Sequence, residues 1–170
     1  TGRVATVSRA EVGSEISGVV LQRLVQEGDE VKQGDLLVVL KSDELLAQVR
    51  QAELALTELA SSRRPQAAAE LASAKAQLEQ ASREAARRRN AEAGILSREE
   101  VEKAVEAETI ARNNYETARV KATALAAGQV EEALLREQLV VAQAQLAKTK
   151  IRAAVAGKVL TRDVEPGDLV

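Results

Sequence analysis

The chain has 170 residues but a single aromatic side chain, Tyr115, so it cannot fill a thick globular core, which large rigid side chains normally dominate. It contains no His, Cys or Met, which excludes imidazole and thiol chemistry, c-type haem attachment and Cys/His zinc sites; no cofactor and no enzymatic activity are expected. A net charge of −2 gives no overall attraction to nucleic acid, and an apolar share of 45 % drawn mainly from Ala, Leu and Val points to long helices meeting at thin interfaces.

Residues 1–42 read as β structure. Short β-branched stretches are bounded by Gly18, by Gly28-Asp29 and by Gly34-Asp35, the composition of short strands joined by tight turns. Glycine at a turn tolerates positive φ, and aspartate bonds its own backbone. Leu36 to Leu40 is a short buried strand. No apolar run approaches the roughly 18 residues of a membrane span, and no signal peptide is visible. The chain opens in mid-pattern at Thr1 and stops at Val170 as a strand motif finishes, so both ends read as cut.

From about Asp43 to Ala93 glycine is absent and good helix formers dominate. Asp43 is the expected N-cap, with Ser42 as the competing choice. Gly94 stands where the residue just past a helix end belongs. Ser97 is followed three residues later by Glu100, a capping box, so a second helix runs from about Ser97 to Lys148. Residues 94–97 then form a tight reversal between two arms of about fifty residues, a rod of roughly 75 Å at 1.5 Å per residue. Apolar residues recur at 3–4 spacing: Leu71, Ala74, Leu78, Ala81 and Ala85 in the first arm, and Val101, Ala104, Ala111, Tyr115, Ala118, Ala122 and Leu125 in the second, interrupted at Glu108. Leu135, Leu139, Ala142 and Leu146 continue the pattern. So narrow a seam suits a two-stranded coiled coil. Each arm carries one break, Ser61-Ser62-Arg63-Arg64-Pro65 in the first and Gly128 in the second, which predicts a shared kink or irregular shoulder.

The last twenty residues return to β composition and repeat the start. Ile16 to Val31 lies on Val155 to Val170 without a gap, and half the positions are identical. Gly18 falls on Gly157, Leu21 on Leu160, Arg23 on Arg162, and Gly28-Asp29 on Gly167-Asp168. An internal repeat at the two extremes of a chain lets its halves pair with each other. The fold class expected is therefore α+β: one quasi-symmetric β-sandwich in two halves, 1–42 and 150–170, interrupted by a long antiparallel α-helical coiled-coil hairpin over 43–149.

The Gly18-Val19-Val20 strand, followed by Val25-x-Glu27-Gly28-Asp29-x-Val31-x-x-Gly34-Asp35-x-Leu37, resembles biotinyl and lipoyl domains. In such carriers a modified lysine sits in the hairpin that ends the first half. Here Glu44 takes that place, Lys41 is out of register, and the chain departs into a helix. A lipoyl-like domain interrupted by a helical hairpin resembles the HlyD-type membrane fusion proteins, or periplasmic adaptors. The return strand from Leu146 through Val164-Glu165-Pro166-Gly167-Asp168-Leu169-Val170 extends that resemblance over nearly the whole chain. The paired breaks resemble adaptors of ABC-type exporters.

The resemblance implies a periplasmic protein associated with the inner membrane. It implies a homo-oligomer, a hexamer in the assembled system, joining an inner-membrane transporter of the ABC or RND type to a TolC-like outer-membrane channel in efflux or secretion. It also implies that the hairpin tip meets the channel through an Arg-x3-Leu-x6-Ser pattern. Ser97 falls on the serine and Gly94 where such tips have glycine, but Asn90 takes the leucine place and Ala86 the arginine place. The expected contact set is Arg87, Arg89, Asn90, Gly94, Ile95, Leu96 and Ser97. Ser97 is also a plain helix cap, and Ile95 and Leu96 a local staple. The run Arg87–Arg89 lies between Glu84 and Glu92 and reads as a solvated face with local ion pairs; without aromatics to stack on bases, no nucleic-acid partner is expected. Glu99-Glu100 and Glu131-Glu132 are adjacent on a helix and do not converge on a metal. Two other classes stay open: a lipoyl or biotinyl carrier domain of a transfer enzyme, and a coiled-coil scaffold with β ends.

Overall fold

The computed structural model of the chain describes residues 9–91 and 97–170; Gly94, Ile95 and Leu96, and the reversal expected around them, lie outside the described residues. Strands β1 (Val20–Arg23), β2 (Glu30–Val31) and β3 (Leu36–Leu40) come first. Helix α1 (Asp43–Glu58), a π-helical turn (Leu59–Arg63), α2 (Arg64–Arg89), α3 (Arg98–Ala124) and α4 (Val130–Lys148) follow, and β4 (Lys150–Arg152) and β5 (Gly157–Lys158) close the chain. The architecture is α+β, in two compact units. One comprises Thr1–Gln51 with Leu139–Val170, the other Ala52–Gln138.

In the first unit β3 lies between β1 and β4, all antiparallel, and β2 pairs with β5. Most of the pairing joins the start of the chain to its end, and the internal repeat governs it. Gly18 and Val170 exchange both backbone bonds at 3.0 Å; their repeat equivalents, Gly157 and Val31, are partners in the β2–β5 ladder. The Val20 N–H donates to Asp168 O at 2.8 Å, and the equivalent Val159 N–H to Asp29 O at 2.9 Å. The Gly167 N–H donates to Val20 O, and the equivalent Gly28 N–H to Val159 O. Each half thus presents the same donors and acceptors to the other, a quasi-twofold exchange.

Three turns of one design hold this ladder. In Gln26–Asp29, Lys32–Asp35 and Glu165–Asp168 the fourth N–H donates to the first carbonyl at 3.1–3.2 Å. The aspartate carboxylate accepts the first residue's N–H at 2.7–2.8 Å. The third residue is Gly28, Gly34 or Gly167, each with φ above +90°, the conformation that the third place of a type II turn demands. Gly18 serves differently: its φ is ordinary, but a Cβ there would lie 3.2 Å from Leu40 Cδ1, and Leu40 is fully buried. The unit's buried residues are few and small apart from Leu40: Val20, Val49, Ala153 and Thr149. Thr149 is satisfied by donating its hydroxyl to Leu146 O at 2.7 Å.

In the second unit α2 and α3 pack on each other. Positions 64, 67, 71, 74, 78, 81, 85 and 88 of α2, and 101, 104, 108, 111, 115, 118, 122 and 125 in and just past α3, are all at least half-buried, an unbroken 3–4 repeat. The fully buried members within the two helices are Ala67, Ala74 and Ala85 in α2 and Ala104 and Ala111 in α3. A methyl group is all that separates the backbones at these places, which is how a chain without Phe or Trp closes a helix pair.

Two expectations are corrected. The first helical arm ends at Arg89, short of Ala93, because Asn90 leaves helical ψ (φ −93°, ψ 1°). The Ser61–Pro65 stretch does not break the arm: the Arg64 N–H bonds Leu59 O, and Pro65 sits in the first turn of α2, where its missing N–H costs least. The break expected at Gly128 is present: the second arm is interrupted between Ala124 and Val130, with Gly128 at φ +75°.

Gly18→Ala is expected to cost about 1–3 kcal/mol by pressing on Leu40. Its repeat partner Gly157 has open space around it, so Gly157→Ala should stay within about 0.5 kcal/mol. Hydrogen exchange at the Leu40 amide, which donates to Thr149 O, measures both.

Candidate functional site

The contact set read from the sequence gathers where α2 ends and α3 begins. Of that set Arg87, Arg89, Asn90 and Ser97 are described. Asn90 closes α2, its N–H donating to Ala86 O at 3.1 Å. Ser97 opens α3 from an extended conformation (φ −73°, ψ 153°). Its hydroxyl accepts the Glu100 N–H at 3.2 Å, while the Glu100 carboxylate accepts the Ser97 N–H at 2.8 Å and hydroxyl at 2.9 Å. The expected capping box is present, and two N–H groups that the helix start leaves open are satisfied reciprocally.

The arginine run is engaged residue by residue. Arg87 and Arg88 both pair with Glu84, Arg88 Nε donating to its carboxylate at 2.7 Å. Arg88 Nη1 also donates to the backbone oxygen of Glu100 at 3.2 Å. Arg89 turns the other way and reaches Glu108 of α3 at 2.9 Å. Glu108, which the apolar pattern reads only as an interruption, collects three donors: Arg89, the Ser82 hydroxyl at 3.1 Å and Arg112 at 3.0 Å. Its side chain is only 12 % exposed. A carboxylate in a seam position survives because each oxygen has partners, and it cross-links the two helices near their ends. The signal for it was the heptad place of Glu108 facing a serine and an arginine on the other arm.

These contacts hold three carboxyls below the ordinary glutamate range. For Glu108 the Ser82 hydroxyl is the largest cause, against some desolvation, with Arg89 and Arg112 adding to it. For Glu84 the cause is Arg87 and then Arg88, and for Glu100 the Ser97 backbone and then its hydroxyl.

In the first unit, Gly18, Gly28, Asp29, Gly34, Asp35, Gly157, Gly167 and Asp168 stand in the strands and turns described above. Lys41 is exposed and pairs with Asp43 at 3.7 Å. Glu44, at the carrier-lysine place, lies in the first turn of α1. Among the described residues no acidic cluster is arranged to hold a metal ion, and no helix is long and apolar enough to cross a membrane.

Residues 8–170 match the family model of the RND MFP barrel-sandwich hybrid domain. The macrolide export protein MacA of Yersinia pestis is 35 % identical over 71 residues, or 42 % of this chain and 19 % of that protein. The crystal structure of MacA from Actinobacillus actinomycetemcomitans superposes with a TM-score of 0.59 at 20 % identity, covering 96 % of this chain and 45 % of that one. The soluble domain of LipC, a membrane fusion protein of a type I secretion system, superposes with a TM-score of 0.53 at 17 % identity, covering 96 % of both chains. At these identities the two superpositions bear on the fold alone. The chain spans about a fifth of the length of the curated relative it matches.

Two outcomes follow. Ser97→Ala should cost about 1 kcal/mol, the usual worth of an N-cap side chain, and show as faster amide exchange at Glu99 to Val101. A carboxyl whose pKa is lowered by folding contributes stability above its unfolded value, which is lost as pH falls through the folded value. The helical unit should therefore melt at lower temperature as pH drops below about 4.3, the ordinary glutamate value. Glu108→Gln should lower the melting temperature at pH 7 and flatten that acid dependence, as thermal scans across pH will show.

Proposed function

The chain belongs to the family of RND membrane fusion proteins (MFP) through its barrel-sandwich hybrid domain, and we propose that it is the lipoyl-like and hairpin portion of a periplasmic adaptor. In this reading the full-length protein is associated with the inner membrane and links a transporter of the ABC or RND type to a TolC-like outer-membrane channel, in efflux or type I secretion. The observation that carries it is the reciprocal pairing of Gly18–Val31 with Gly157–Val170. That pairing supports one split lipoyl-like β-sandwich, 1–42 with 150–170, interrupted by an antiparallel coiled-coil hairpin over 43–149. A carrier lysine has no counterpart in it, since Glu44 is a helical residue.

The mechanism is mechanical. Copies of the chain assemble as a hexamer around the transport path, the helices set a distance, and the hairpin end selects the channel. Asn90 and Ser97, with Gly94, Ile95 and Leu96 between them in sequence, form the contact, with Arg87 and Arg89 beside it. The pairing of Arg87 with Glu84 and of Arg89 with Glu108 supports a division of labour. Arg89 ties the end of α2 to α3 while Arg87 pairs within α2, and the uncharged residues between the helices in sequence meet the partner.

Cysteine placed at Ser97 in the full-length protein, crosslinked in living cells, tests the proposal; these 170 residues contribute no cysteine of their own. An adduct with an outer-membrane channel is expected. Adducts confined to other copies of the protein would overturn the channel contact, and a cytoplasmic location would overturn the adaptor assignment itself.

A further inference from the structure

Toward the end of the helical unit where Ala52 and Gln138 lie, the seam is extended into a buried cluster. Leu59 is 1 % exposed, Ala67 1 % and Leu125 8 %, with Ala122 and Leu135 packed against them. The cluster sits where the π-helical turn of the first arm faces the interruption of the second. Along the face of the first arm that carries Leu59 and Ala67, half-buried and buried positions run 45, 49, 52, 56, 59 and then 64, 67, 71, 74. Every step is three or four except that from Leu59 to Arg64, which is five. The π-helical turn therefore takes up one residue more than the α-helical period provides, and in doing so it keeps Arg64 on the seam.

Arg64 spans the interruption. Its Nε donates to Leu125 O at 2.9 Å, closing the C-terminal end of α3, and its Nη2 donates to Glu132 at 2.8 Å in the first turn of α4. The same Glu132 oxygen accepts the Gly128 N–H at 2.9 Å, and Arg136 holds the other oxygen. The Glu132 side chain is 13 % exposed. Its carboxyl is held below the ordinary range, by the Gly128 N–H first and then by Arg136 and Arg64, so it is charged at neutral pH. One guanidinium thus binds the last carbonyl before the break and the first acidic side chain after it that folds back on the loop. A planar fork with donors at fixed angles suits this double duty, whereas a lysine ammonium is a point charge on a flexible stem.

We infer that the 125–129 interruption is a hinge between α3 and the start of α4, and that Arg64, kept on the seam by the π-helical turn, is the bolt that locks it. The neighbouring pair Arg63–Glu131, also at 2.9 Å but between side chains 43 % and 36 % exposed, lies outside the lock and contributes little. Removing one residue from Ser61-Ser62 shortens the step from Leu59 to Arg64 to four, which returns the arm to continuous α-helix with Arg64 still on the seam. The first arm stays helical and the lock stays closed.

The test uses the whole chain with nitroxide labels on cysteines at Ile110 and Leu134, both exposed and on opposite sides of the interruption; their distance distribution is read by pulsed electron resonance. The parent chain should give one narrow distance. Arg64→Ala should broaden it, and so should Arg64→Lys, because one ammonium does not serve both Leu125 O and Glu132. Deletion of Ser62 should leave it narrow with helix content by circular dichroism unchanged, and so should Arg63→Ala. If Arg64→Ala loses its helical signal, Glu132→Gln, which keeps the shape and removes the charge, takes its place. The hinge lock is overturned if the Arg64→Lys and Glu132→Gln distributions superimpose on the parent's, or if Arg63→Ala broadens the distance as much as they do.

Discussion

Everything in this chain follows from one requirement: backbone groups of Gly18, of Val20 and of Gly28 to Val31 find their partners on Gly157 to Val170. Neither half has enough apolar side chains to bury its own ladder, and an unpaired buried N–H or carbonyl costs about 1–3 kcal/mol. The polypeptide that leaves after Leu40 must therefore come back, and it does so at Thr149, whose carbonyl accepts the Leu40 N–H at 2.8 Å. An antiparallel helix pair is the cheapest long excursion that returns, because both of its arms satisfy their own hydrogen bonds on the way. The three Gly-Asp turns then fix the register of the ladder with almost no side-chain bulk, which suits a unit whose core is Val20, Leu40, Val49, Ala153 and Thr149.

The helix pair answers the same scarcity of large side chains in another way. Alanine at alternate seam positions gives little transfer free energy per residue, of the order of 0.8 kcal/mol per buried carbon, but it lets the backbones approach and spreads the contact over many turns. Specificity has to come from elsewhere, since an alanine seam tolerates sliding. Two charged residues in seam positions supply it. Glu108 gathers Ser82, Arg89 and Arg112, and Arg64 gathers Leu125 O and Glu132. Each pairs with groups on the facing strand of the hairpin at one register only, the established use of isolated polar groups in coiled coils.

Much of this was legible in the sequence because it is written in local signals. The repeat of Gly18 in Gly157 and of Gly28-Asp29 in Gly167-Asp168 announced the pairing, Ser97 with Glu100 announced a cap, and the 3–4 spacing from Leu71 to Ala85 and from Val101 to Leu125 announced the seam. What the sequence hid were responses to distant partners. Pro65 signals a break, yet it stands in the first turn of α2 behind a π-helical turn whose Leu59 packs against Leu125 of the interrupted arm. Glu92 and Glu108 are equally plausible mates for Arg89 until the arms are laid side by side. Gly18 and Gly157 are equivalent in the repeat, yet only Gly18 carries a buried leucine against its Cα, because the helical excursion departs beside Leu40 and breaks the symmetry there.

The exchange of bonds between Gly18 and Val170 also sets the order of events during folding. Contacts between residues so far apart in sequence must wait for the loop between them to close, at an entropic cost that a flexible coil pays in full. Helices that zip together by neighbour-to-neighbour contact shorten that loop before the strands ever meet. The ladder between residues 18–31 and 157–170 should thus form last, after the local pairing of β1 with β3, and until it docks the strand edges it covers stand open. The helical insertion is in this sense an intramolecular usher for a domain too poor in side chains to assemble by collapse.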